Sequence, residues 1–207
     1  MKLASPFNDE LLGIERLVAL IDGVFAVAIT LLVLDLRLSP EKQDLPHALQ
    51  QMAPSLVIYL IVFASVAGYW TIHHRTFRTI AHADGRLILL SLLNLLFVTL
   101  YPVSASILGS YPSHPLAAAL LSLNSLFYCL SAWAVWSHAA SHPFLLKESS
   151  DPGSITRVAR IMLLVAIGLV LAIPLAFLSV YFAYAIWMIW PPLSAMWVGG
   201  QRRAIPQ

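Results

Sequence analysis

Six apolar runs, each close to the roughly 20 residues that take a helix across a bilayer, leave this chain few ways to fold. They span about 17 to 36, 54 to 73, 87 to 109, 116 to 137, 158 to 177 and 179 to 198. Hydrocarbon offers no partner to an unpaired backbone N–H or C=O, so each run is expected to be a helix. Gly68, Pro102, Pro174, Pro191 and Pro192 fall inside these runs without vetoing them, because kinked helices are tolerated in membranes. A balance of 59% hydrophobic to 11% charged residues excludes a water-soluble globular domain. No low-complexity tract, charge block or internal repeat divides the chain. It reads as an all-α integral membrane protein, one six-helix domain over 1–207. Met1 to Glu15 has neither a continuous apolar core nor a small-residue cleavage site, so the first helix is expected to be retained.

Charge gives the expected orientation. Lys2, Arg16, Arg75, Arg78, Arg86, Lys147, Arg157, Arg160, Arg202 and Arg203 fall on one side of the membrane, and only Arg37 and Lys42 on the other. By the positive-inside rule both termini face the cytoplasm, and the cell's inner (plasma) membrane is the expected location. The slight basic excess belongs to this pattern and implies no nucleic-acid partner. The single Cys129 excludes an intrachain disulfide and reads as a small packing residue.

Ionisable groups at membrane depth are costly and face protein or water rather than lipid. Arg16 and Asp22 are six residues apart, so on one helix they point about 120° away from each other and need separate partners. The bland alternative places both in the headgroup zone, Arg16 extending to water and Asp22 favoured by the helix dipole. Trp70, His73 and His74 stand at i, i+3 and i+4 and share one helix face. Two adjacent histidines without a Cys or acidic ligand make a weak metal signal, and a solvated helix end beside Arg75 and Arg78 is the simpler reading; no cofactor is expected. Asn94, Ser104 and Ser106 suit interhelical hydrogen bonds of about 1 kcal/mol each. Asn124, Trp133, Trp136, His138 and His142 have no acid or nucleophile ordered beside them, so no enzyme is expected.

Within the first helix Val27, Leu31 and Leu34 repeat at steps of four and three and form one apolar stripe, with Thr30 beside it. Such a stripe is either a packing seam or, if several copies meet around an axis, a stack of apolar rings that stops ions by dewetting. Periodicity does not choose between them.

The stretch "RLVALIDGVFAVAITLLVLDL", with "YWTIHHRTFRTI" and "LLNLLFVTLYPVSAS", resembles the potassium channels of the lysosomal transmembrane protein 175 family in their single-repeat prokaryotic form. The family's mark is Arg-x-x-x-Phe-Ser-Asp, commonly followed by Gly. This chain keeps Arg16, Asp22 and Gly23 and has Leu20 and Ile21 in place of Phe-Ser. Trp70, His73, Asn94 and Pro102 stand at family-like positions, whereas the last three helices resemble the family in number and length alone.

The resemblance implies a homotetramer whose four first helices line a central cation pathway. It also implies a potassium-preferring channel with Val27, Leu31 and Leu34 as the constricting gate and Thr30 as the threonine tied to potassium preference. Arg16, Asp22, Gly23, Trp70, His73 and Asn94 become the motif and the polar network that anchors the first helix. Its expected partners are other copies of itself, the lipid bilayer and the permeant potassium ion. Val27 stands where a longer Ile or Leu is usual. No "TVGYG" carbonyl loop is present, so selection falls to side chains. The rival readings are a secondary transporter, hinted at by Pro174 and "WPP" at 190 to 192 but lacking a midplane carboxylate, and a non-conducting scaffold in which the stripe is only a seam.

Overall fold

The computed structural model describes residues 12–36 and 44–200, so Lys2, Arg37, Lys42, Arg202 and Arg203 of the expected charge pattern lie outside the described residues. Among the described residues the regular structure is helical apart from one pair of two-residue strands. Strand β1 (Leu12–Gly13) runs directly into α1 (Ile14–Leu31), which opens with Glu15 at its positive dipole end. Leu32–Asp35 then tighten into a 3-10 turn, so the first run is not one uniform α-helix. Helix α2 (Leu45–Phe77) has a proline in its first turn, where no N–H is missed, and runs through Pro54 for 33 residues. That length is about 50 Å at 1.5 Å per residue, more than the hydrocarbon thickness requires.

Strand β2 (His82–Ala83) leads into α3 (Gly85–Thr99). The third apolar run, expected as one helix, is divided at Leu100: α4 (Tyr101–Ser110) begins there with a proline in its first turn. The cause is Pro102, whose ring nitrogen has no proton for the preceding turn. Helix α5 (Pro115–Ser141), α6 (Pro152–Leu178) and α7 (Val180–Gly200) complete the order. Helix α6 runs on through Pro174, and α7 through Pro191 and Pro192, so the prolines that hinted at broken transporter helices interrupt neither. Among the described residues five spans are long and apolar enough to cross a membrane, with Val180–Met196 a shorter sixth apolar helix.

Helix α5 is the hub: 61% of its apolar window is buried, against 17% for α2. Small residues make that possible. Ala118, Ser122, Ala132 and Ala139 on α5 and Ala159, Ala166, Gly168 and Ala172 on α6 are all buried, and small side chains let helix backbones approach closely. Gly168 is required there. A Cβ on it would collide with the Trp190 ring of α7, whose Nε1–H donates to the Leu164 carbonyl at 2.7 Å. Trp187 Nε1–H donates to Ser122 Oγ at 3.2 Å and Tyr184 Oη–H to the Pro112 carbonyl at 2.7 Å, tying α7 to α5 and to the α4–α5 link. Cys129 is buried.

One end of the bundle is laced by backbone. Leu12 pairs with Ala83 and Gly13 with His82 in antiparallel register, and Ile80 bridges Leu146. The 78–84 link is thus a strap held on one side by the entry of α1 and on the other by the α5–α6 connection. All the described Lys and Arg (Arg16, Arg75, Arg78, Arg86, Lys147, Arg157 and Arg160) sit on helix ends or links at this end.

Candidate functional site

Helix α1 has two apolar faces. Leu17, Ile21, Phe25, Ala28 and Leu32, at helical spacing, are buried against the rest of the chain. Roughly 110° around the helix, Leu20, Val27, Leu31 and Leu34 are exposed; Val27 and Leu34 keep 57% and Leu31 42% of their surface. Leu20, Gly23, Val24, Val27 and Leu31 with Thr99 line an open apolar groove of about 430 Å³. Thr30 is exposed beside the stripe, and its Oγ1–H donates to the Val27 carbonyl at 2.9 Å. That bond commits the hydroxyl proton and leaves the oxygen lone pairs pointing away from the helix.

Toward the laced end a polar side-chain contact ties α1 to α2: Trp70 Nε1–H donates to Asp22 Oδ1 at 2.9 Å. An indole donor on a half-buried carboxylate is a charge-assisted hydrogen bond, and Trp70 is held for it by stacking on His74, ring centroids 5.2 Å apart. His73 is turned the other way. It is buried among Phe25, Phe77 and Trp136, with centroids 5.8, 4.3 and 5.1 Å away, and its Nε2 has no hydrogen-bond partner. His73 therefore joins α1, α2 and α5 as an aromatic ring, not as a polar relay.

Asn94 serves a different pair of helices. Its Nδ2 donates to the Tyr128 carbonyl at 3.1 Å and to Ser131 Oγ at 2.9 Å, clamping α3 to α5, while Asn124 returns a bond to the Phe97 carbonyl at 3.2 Å. Arg16 is exposed and has no ion pair among the described residues. Of the residues expected to anchor α1, the structure brings Asp22 and Trp70 into direct contact. It turns His73 away from that pair, onto the rings of Phe25, Phe77 and Trp136, and sets Arg16 and Asn94 apart.

A cluster that sequence reasoning missed lies beside the strap. Asp84 caps α3, its Oδ1 accepting the Leu87 N–H at 2.6 Å, and its Oδ2 accepts His138 Nε2–H at 2.9 Å. Burial pushes the Asp84 carboxyl up, but the Leu87 amide, the His138 hydrogen bond and the charges of His138 and His142 outweigh it and hold the group below its usual value. His138 is thus given the acid that its own neighbourhood in sequence lacks. The separation of 54 residues hid the pair; the one available signal was an Asp directly before the third apolar run, a helix-start residue. No group of three His, Cys, Asp or Glu suited to a metal occurs among the described residues.

The family model for "Endosomal/lysosomal potassium channel TMEM175" matches residues 16–102. A potassium channel of Streptomyces collinus is 36% identical over 174 residues, 79% of this chain and 82% of that protein. The chain belongs to the TMEM175 family. A potassium channel of Chamaesiphon minutus is 32% identical over 152 residues, 70% of this chain and 75% of its own. The crystal structure of a lysosomal potassium-selective channel TMEM175 homolog from that organism superposes with a TM-score of 0.76 at 28% identity, covering 88% of this chain and 96% of the homolog. The multi-pass helical fold of this chain is therefore the TMEM175 fold. The family match corrects the expected location. The family is described as endosomal/lysosomal, and vertebrate relatives, the human one at 24% identity, are named endosomal/lysosomal proton channels. The membrane the family points to is thus the endosomal/lysosomal one, not the plasma membrane. Basic-residue asymmetry reports which end of a bundle faces the cytoplasm; it carries no information on which membrane holds the bundle.

Proposed function

We propose that this TMEM175-family chain is a potassium-preferring cation channel, assembled as a homotetramer over residues 1–207 with four α1 helices around a central pathway. The observation that carries the reading is the outward face of α1, where Val27, Leu31 and Leu34 stay exposed although the helix already buries a second apolar face. Four copies converging on an axis turn these residues into stacked apolar rings. A narrow apolar ring blocks ions by dewetting and conducts when it widens. Thr30 supplies the polar step between rings. With its proton donated to Val27, its oxygen is free to replace part of a cation's hydration shell, as carbonyls do in loop-built filters. Asp22 and Trp70 hold α1 at its root, Gly23 lets neighbouring helices approach, and the end bearing Arg16, Arg75 and Arg78 faces the cytoplasm.

The test is single-channel recording from purified protein in planar bilayers. Discrete potassium conductance steps are expected, with Val27→Ala and Leu31→Ala raising open probability and Thr30→Val lowering the preference for potassium over sodium. Absence of conductance from the wild type and every variant overturns the channel reading. Smooth, saturable flux without steps points instead to a carrier.

A further inference from the structure

We propose that the cleft between α2 and α7 binds one anionic phospholipid, with an acyl chain in the cleft and the phosphate on Arg75 at its basic end. Such a site is independent of conduction.

The cleft has a volume of about 460 Å³ and is walled by Leu60, Gly68 and Ile72 of α2 and by Trp187, Met188 and Pro191 of α7. Leu60 and Met188 are 53% and 63% exposed, so it opens on the outer surface of the bundle. A Cβ added to Gly68 meets nothing within 4 Å, which leaves the middle of the cleft clear. The polar side chains in its walls are turned to other partners. Ser65 Oγ–H donates to the Ile61 carbonyl at 2.8 Å, Trp187 Nε1–H donates to Ser122 Oγ, and the Tyr69 ring packs on Tyr101 and Tyr128. What remains is an apolar trough, which suits a hydrocarbon chain. From Leu60 to Ile72 the helix rises about 18 Å, close to the roughly 15 Å that one leaflet contributes to the hydrocarbon core. The cleft is therefore as long as one leaflet's chain and ends where that lipid's phosphate lies.

Charge selects the class of lipid. Arg75 follows Ile72 by three residues and Gly68 by seven, so it stands on their face of α2, and Arg78 follows one turn on. Both are exposed, and neither has an ion pair among the described residues. No Asp or Glu occurs in α2, α5, α6 or α7, so no acid on these helices competes for the two cations. A guanidinium fork matches phosphate oxygens, and basic residues at a helix end attract anionic lipid. A choline headgroup cancels part of that attraction with its own cation. The cleft is also turned away from the face proposed to meet other copies. Trp70 and His73 look toward Asp22 and Phe25 of α1, and the cleft residues lie roughly 150° around α2 from them. In an assembly gathered on α1, this side faces lipid.

Native mass spectrometry of the delipidated full-length protein in detergent, titrated separately with palmitoyl-oleoyl phosphatidylglycerol and palmitoyl-oleoyl phosphatidylcholine, reads the site without any conductance. The wild type is expected to hold its first phosphatidylglycerol at least about fivefold more tightly than its first phosphatidylcholine, the factor that one arginine near the membrane surface supplies. Arg75→Gln combined with Arg78→Gln changes two exposed positions and is expected to level the two lipids, with helix content unchanged. Gly68→Phe fills the cleft and is expected to weaken both lipids severalfold. Glycerol phosphate, which carries the charge without the chains, is expected not to compete. Equal affinities in the wild type, or a preference that survives the double variant, overturns the assignment of the phosphate to Arg75. Competition by glycerol phosphate reduces the site to an anion contact and overturns it as a lipid site. Unchanged lipid binding by Gly68→Phe overturns the cleft as the seat of the chain, and a simultaneous change in subunit number assigns the cleft to a second copy instead.

Discussion

A half-buried carboxylate is expensive unless its oxygens are bonded, and Asp22 meets that cost through one indole. Trp70→Phe keeps an aromatic ring beside His74 and removes the Nε1–H together with part of the indole. Leaving such an acceptor unsatisfied costs about 1–3 kcal/mol, so a lower melting temperature in detergent is expected, largely restored when Asp22→Asn is added and the charge is gone. Asp84 gives a different signature. Its carboxyl titrates lower in the folded protein than the usual 3.8, so the folded state favours the ionised form. The resulting stability is complete above the usual value and is lost as pH falls through the lowered native one. The melting temperature of the wild type relative to Asp84→Asn should therefore decline steadily as the pH falls below about 5. A difference that instead grew toward acid would contradict the lowered titration.

At the level of helices, close packing decides what each position tolerates. The Trp190 ring lies over Gly168 and bonds the carbonyl one turn earlier, so Gly168→Ala must push α7 off α6. Overpacking of this kind costs about 1–3 kcal/mol, against roughly 1 kcal/mol gained in helix propensity. Net loss of thermal stability is expected, partly rescued by shrinking the ring with Trp190→Leu. Helices were the most legible feature of the sequence because hydrocarbon leaves the backbone no alternative. Their ends and breaks were less so. The division at Leu100 needed the consequence of Pro102, and the 3-10 turn at Leu32–Asp35 left no mark in composition. Side-chain partnerships were least legible. Trp70 was visible as a candidate, but whether Asn94 would face α1 or α5 depends on the rotation of α3, which periodicity alone does not set. The Asp84–His138 pair joins residues on separate helices and required the fold itself.

For the whole molecule, Gly23 separates what a subunit needs from what an assembly needs. Its backbone is ordinary, with no glycine at positive φ among the described residues, and a Cβ added to it meets nothing within 4 Å. Nothing in its own chain calls for glycine, and helix propensity argues against it by about 1 kcal/mol relative to Ala. Gly23 lies instead in the exposed apolar groove of α1, between Leu20 and Val27, on the face proposed to meet other copies. Close backbone approach between membrane helices is the setting in which a missing Cβ is worth that loss. The two scales then predict opposite signs for one substitution. Gly23→Leu should leave the fold of the single chain intact, with helix content and the protection of α5 unchanged. It should weaken the proposed tetramer, shifting native mass spectra from detergent toward monomer and lowering potassium flux in proportion. A variant that stays tetrameric with full flux would show that this face of α1 meets lipid, and the pathway would have to be sought elsewhere in the bundle.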